Sequence, residues 1–180
     1  ESMDCSGTCG GSAEVDEWGY CCDPESESYV DALDACIPPS SSMAAYYFSS
    51  ITLDGDPLLS TDQIKAINED SGRLVGFATY ENVGNDYTEI LLFGEMSIEN
   101  SDSIFHTEGY MLSGETPQFY INDIKAHYFA VNGDTLHNIP PFYSPSIHSG
   151  LTLDLTTDCN GDMGGTGSLD YCAECYGGET

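Results

Sequence analysis

Positive charge is nearly missing from this chain. Three Lys+Arg stand against 31 Asp+Glu in 180 residues, a formal net charge of −28. Three cations cannot build a basic patch for phosphate backbones or a polybasic segment for anionic lipid, which excludes binding to nucleic acid or membrane by those routes. No run of roughly 18 apolar residues occurs, so no membrane-spanning helix is expected. There is no N-x-S/T acceptor, no GxSxG elbow, no Walker loop and no HExxH pair, and His106, His127, His137 and His148 stand at no ligand spacing. Ser144, Ser146 and His148 form no recognisable triad, and carboxylate pairs say nothing among so many acids. No catalytic residue is therefore expected. No export sequence opens the chain, and Glu1 is expected to be a mature terminus left by its removal.

What is present is enough to fold. The chain is 40% hydrophobic with 12 Tyr and 7 Phe, so a core can be buried and the charge does not come from a disordered acidic tail. A charge of −28 repels itself and opposes compaction, and bound cations are the obvious relief. Oxygen-rich, Lys-poor surfaces suit hard divalent cations, so calcium is the expected cofactor, with general halophilic adaptation as the alternative.

Eight cysteines lie at Cys5, Cys9, Cys21, Cys22, Cys36, Cys159, Cys172 and Cys175, with none between 37 and 158. An even number clustered at both ends of an acidic chain points to disulfides in an oxidising, extracellular compartment. Zinc is the rival, because Cys172-Ala-Glu-Cys175 has CxxC spacing. A second pair at matching spacing is missing, so all eight are read as disulfide candidates.

Composition divides the chain into a Cys-rich 1–37, a Pro-Ser linker at 38–43, a Cys-free β domain at 44–156 and a second Cys-rich segment at 157–180. Alternation predicts strands at 45–53, 72–80, 87–93, 118–124, 127–131 and 151–155; residues 62–68 fit a helical turn or a strand equally. Short strands with frequent turn signals indicate an antiparallel β-sandwich, with Cys/Gly/Asp-rich loop repeats at its ends. Asp54-Gly55-Asp56 and Asn132-Gly133-Asp134 read as hairpin turns.

The two ends are one repeat. At an offset of 154, Asp4, Cys5, Gly7, Gly10, Gly11, Asp16 and Cys21 fall on Asp158, Cys159, Gly161, Gly164, Gly165, Asp170 and Cys175. Ser12 and Val15 correspond in kind to Thr166 and Leu169. Asp158-x-Asn160-x-Asp162 spaces oxygen side chains as the start of an EF-type loop does, but Met163 and Leu169 stand where that loop needs Gly and Glu. A looser calcium site is expected at Asp158, Asn160, Asp162 and Asp170, with Asp4 and Asp16 in the first copy and Glu17 and Asp23 as secondary candidates.

This repeat resembles the DC-x-G-x-CGG-x-A-x-x-DECG-x-C modules of large secreted and cell-surface proteins of marine and Bacteroidetes-like bacteria, loosely akin to thrombospondin type 3 calcium repeats. The middle is similar to a module of the same proteins. Tyr46-Tyr47-Phe48 with Ile51-Thr52-Leu53-Asp54-Gly55 resembles its first strand and turn, Asp62–Asn68 its D-x-I-x-A-F-N segment, and Thr107–Phe119 its T-x-G-Y-x-x-G-x-T-P-x-F signature. The resemblance implies an extracellular β-rich surface or adhesion module, and calcium. Each copy departs from it by one cysteine: Trp18 replaces the third of the first copy, and Met163 the second of the last. Cys22 and Cys36 are extra and are expected to pair with each other. Each repeat then has one orphan. Depending on the family's internal pairing, the orphans are Cys5 and Cys175, Cys21 and Cys159, or Cys9 and Cys172.

The reading that follows is an extracellular structural or adhesion protein, self-associating head to tail through its end repeats into a surface filament. The alternative is a carbohydrate-binding surface module. For that alternative Tyr46, Tyr47, Tyr110, Phe142 and Tyr143 are the aromatics available to stack on glycans, although core packing is their commoner use.

Overall fold

The computed structural model describes residues 2–80, 87–96, 107–127, 129–131 and 139–178. His106, His137 and the Asn132-Gly133-Asp134 turn lie outside the described residues. Within them the protein is mainly β, as expected, and holds no helix. The first Cys-rich segment gives four short strands, β1 (Glu14–Val15), β2 (Cys21–Cys22), β3 (Tyr29–Val30) and β4 (Ala35–Cys36). The middle gives β5 (Met43–Leu53), β6 (Asp56–Pro57), β7 (Gln63–Asn68), β8 (Arg73–Thr79), β9 (Thr88–Phe93), β10 (Gln118–Ile121), β11 (Ile124–Lys125), β12 (Phe129–Val131) and β13 (Ser146–Leu155). The last segment adds β14 (Ser168–Leu169) and β15 (Cys175–Tyr176).

Two larger sheets share one core. A four-stranded sheet runs β11-β10-β7-β8, and a five-stranded one runs β12-β13-β5-β6 with β9 also on β5. Alternation is the cause: Thr88, Ile90 and Leu92 of β9 point inward and are buried, whereas Glu89 and Leu91 are exposed. Ring contacts join the two sheets. Phe119 of β10 lies 5.2 Å from Phe48 and 5.6 Å from Tyr46, both on β5. Each such ring pair adds about 0.5–1.5 kcal/mol beyond area burial.

The segment 62–68, undecided between helix and strand, is strand β7, because its alternate Ile64 and Ala66 are needed on the core face opposite Phe119. The 118–124 run is a hairpin rather than one strand: Asn122 and Asp123 both take positive φ (47° and 70°), the turn that short polar residues tolerate best. Asp54 and Gly55 make the same turn between β5 and β6, as expected. The expectation of a wholly antiparallel arrangement is corrected in one place. β13 runs parallel to β5, from Ser146 beside Ala44 to Leu155 beside Leu53, so the longest strand is flanked on its two sides by opposite polarities. The Pro-Ser stretch is held rather than loose: Ser40 is buried and donates to the Gly94 carbonyl, and Pro38 accepts from the Tyr110 hydroxyl.

Gly76 marks the closest approach of β8 to β9. A Cβ there would lie 2.6 Å from the Leu91 carbonyl oxygen, which is backbone and cannot step aside. Gly76→Ala is expected to destabilise the fold by about 1–3 kcal/mol, the usual cost of overpacking. A lower urea midpoint at unchanged slope would show it; an unchanged midpoint would mean that the two strands part freely.

Candidate functional site: the paired end repeats

Each end repeat is a disulfide-stapled loop closed by a two-residue hairpin. Cys5–Cys21 and Cys159–Cys175 bridge equivalent positions with the same Cα separation of 5.6 Å, and β1–β2 matches β14–β15 in register. Even the isolated bridges agree, Met3 with Cys9 and Thr157 with Met163. Closing a loop of this length restricts the unfolded chain and is worth about 3 kcal/mol. Cys22–Cys36 forms as expected. The pairing with Cys9 and Cys172 as orphans is therefore the one observed. Within one chain these two cysteines are free and exposed.

The aspartates of the repeat cap turns. Asp4 Oδ1 accepts the N–H groups of Ser6 and Thr8, as Asp158 Oδ1 accepts those of Asn160 and Asp162. Asp16 Oδ1 accepts from Trp18 and Tyr20, and Asp170 Oδ1 from Cys172 and Glu174. The second oxygens are engaged too: Asp16 Oδ2 by Cys36 N–H, Asp158 Oδ2 by Gly167 N–H, and Asp4 Oδ2 by Ala13 N–H at 3.4 Å. Gly11 and Gly165 belong to the same device, because a Cβ on either would collide with the Asp4 or Asp158 carboxylate. Gly19 takes positive φ (82°) in the first copy, and Ala173 holds the equivalent place at φ 62°. These contacts account for why Asp, Gly and Cys are the residues repeated.

Electrostatics follow from the caps. The Ser6 hydroxyl and the Thr8 N–H hold the Asp4 carboxyl below its ordinary value, and the Asp162 and Gly167 N–H groups do the same for Asp158. Asp54 is lowered by the Thr157 side chain and N–H, a contact that latches the β5–β6 turn to the last repeat.

Of the residues expected to bind calcium, Asp4, Asp16 and Asp158 accept N–H groups on both carboxylate oxygens, and Asp170 on one. Asn160 turns its amide to the Gly177 carbonyl. Asp162 offers its backbone oxygen to Asp158 N–H, and Asp23 accepts from Glu25 N–H. Among the described residues no three His, Cys, Asp or Glu converge closely enough to hold a metal ion. A cleft of about 520 Å³ in the first segment is lined by Glu14, Asp16, Glu17, Asp34 and Tyr29, among others. Glu14 and Asp34 carry no sequence signal that would have singled them out.

The two departures from the repeat are its attachment points. Trp18 packs against the core cluster, its carbonyl accepts from Arg73 Nη1, and Lys65 Nζ sits 5.7 Å from its ring. Beside it Tyr20 is buried, donates to the Leu74 carbonyl, meets Tyr110 edge-on at 5.8 Å and lies under Arg73 at 4.5 Å. Burial pushes the Tyr20 phenol far above its usual value, so it stays neutral. Met163 does the same work for the last copy, packing on the core while the neighbouring Gly164 lies against Ile124 and the Lys125 carbonyl. The first repeat is thus anchored to β8 and the last to β11, the strands at opposite edges of one sheet.

Of the remaining candidates, Tyr46, Tyr110 and Phe142 are core residues, while Tyr143 is half exposed and Tyr47 stacks edge-on against Tyr87. His148 rests on the Tyr46 ring at 4.5 Å and bonds Ser146, with burial lowering its pKa. That is a strand histidine, and Ser144 is occupied in accepting Met43 N–H.

Two outcomes check this account. Ala173→Gly is expected to stabilise the chain by about 1 kcal/mol by relieving a left-handed alanine, read as a raised urea midpoint; a lowered midpoint contradicts the alignment of the copies. Because Asp4 and Asp158 are depressed in the folded state, their contribution is complete above the ordinary carboxylate range and is lost as pH falls through their lower folded values. Carboxyl NMR titration should give both midpoints below those of the same residues in the unfolded chain, and coincident midpoints would contradict the capping role.

Comparison with protein-family models, with curated proteins and with solved structures finds no significant match to the chain.

Proposed function

We propose that this chain is an extracellular structural module that joins copies of itself end to end through its two repeats, in adhesion or surface assembly. The observation that carries the reading is the duplication itself. The same stapled loop, with the same capping aspartates, sits at both ends of the chain and is anchored to opposite edges of one sheet. An enzyme needs no such symmetry between its termini. Three disulfides support an oxidising location, and no helix of the described residues is long and apolar enough to cross a membrane. Contact between first and last repeats of different copies is heterologous, and a heterologous contact that does not close on itself propagates as a filament.

Calcium enters this proposal as a counter-ion to the −28 charge rather than as the occupant of a cage at Asp158, Asn160 and Asp162. The carbohydrate-binding alternative loses most of its stacking candidates to the core and retains Tyr47 and Tyr143.

Sedimentation of the chain in calcium should show mass rising with concentration, and a monodisperse monomer across the range removes the reading. At low ionic strength calcium should raise the melting temperature, since it screens the self-repulsion of a −28 charge that opposes the compact state. An unchanged melting temperature removes calcium from the account.

A further inference from the structure

Six cysteines are bonded within the chain, and the remaining two are both exposed, one in each repeat. Their positions are complementary. Cys9 occupies the place that Met163 fills in the last copy, and Cys172 the place that Trp18 fills in the first. In each repeat the outer bridge is retained, while one inner position has become an apolar anchor on the core and the other remains a thiol. The first copy retains the earlier thiol and the last copy the later one. Only a first repeat set against a last repeat brings together one thiol of each kind; two first repeats, or two last repeats, bring like to like.

The surfaces around the two thiols suit such a meeting. Of twelve exposed large apolar side chains among the described residues, five lie in the repeats: Met3 and Val15 in the first, Leu169, Tyr171 and Tyr176 in the last. Met3 bridges Cys9 directly, and Tyr171, fully exposed, adjoins Cys172. The stretch from Cys5 to Ala13 carries no charge at all in a chain of −28, so a second acidic copy can approach it with the least repulsion.

We propose that Cys9 of one copy and Cys172 of the next form an interchain disulfide, which makes the head-to-tail contact covalent. This rests on the end-to-end reading above and names its bond. The oxidant is a small-molecule disulfide. One cysteine thiolate attacks it and releases a thiolate, giving a mixed disulfide. The second cysteine thiolate then attacks the protein sulfur of that mixed disulfide and releases the other thiolate. The two cysteine protons end on the two small thiols, and the two electrons lost by the cysteines reduce the oxidant.

The test is non-reducing electrophoresis of the whole chain after incubation with oxidised glutathione. The native chain should give a ladder that collapses on reduction. Cys9→Ser alone and Cys172→Ser alone should lose the ladder, and their equimolar mixture should give a single dimer band whose peptide map contains Cys9 joined to Cys172. A monomer with Cys9 bonded to Cys172 inside one chain overturns the proposal. So does equal dimer formation by each single variant alone, which is random oxidation. The Cys9→Ser/Cys172→Ser double variant separates this inference from the reading beneath it. If its mass still rises with concentration while the native chain gives no ladder, the bond is wrong and the end-to-end reading stands; a double variant that stays monomeric beside a native chain without a ladder fails both.

Discussion

The seam between the first repeat and the four-stranded sheet rests on two of the chain's three cations. Arg73 covers the Tyr20 ring and donates to the Trp18 carbonyl, while Lys65, largely buried, lies near the Trp18 ring and pairs with Asp123. The third, Lys125, pairs with Glu69 on the same sheet. Each Lys and Arg side chain is thus engaged by a partner within the chain. A desolvated cation against an aromatic face is worth up to about 2 kcal/mol, several times a typical exposed ion pair. In a chain that repels itself this strongly, two cations set at the seam do more for the fold than the same two scattered over the surface.

The repeats show how a segment too short to bury a core becomes ordered. A bridge restricts the loop, aspartates satisfy the N–H groups that the turns leave over, and glycines make room for those carboxylates. A carboxylate ringed by N–H groups is held by their dipoles, and the Asp spacing of the repeat is the spacing of turn caps. What remains is docking, and there each copy holds an apolar side chain where the other holds a cysteine. Trp18 and Met163 fasten the loops, and Cys9 and Cys172 remain free and exposed within the chain.

Much of this was legible in the residues. The duplication at an offset of 154 is visible because Asp, Gly and Cys are the residues whose replacement breaks caps, turns and bridges, and most strand positions followed from alternation around Tyr46, Ile90 and Leu153. Three things were not legible. The parallel pairing of β5 with β13 depends on a contact about a hundred residues apart that no local pattern encodes. The choice between helix and strand at 62–68 was made by Phe119 across the sheet. Trp18 stood in the sequence as a missing cysteine, and its role as an anchor emerges only beside Lys65 and Arg73. Spacing likewise gave no hint that Asp158 caps a turn, because spacing does not reveal which donors a carboxylate faces.

The central claim is that the two repeats are matching ends of one building block. Electron microscopy of the oxidised chain in calcium addresses it most directly. The account requires linear, unbranched filaments in which the first repeat of each subunit meets the last repeat of its neighbour. Dispersed single particles, or closed pairs joined by two identical ends, would contradict it.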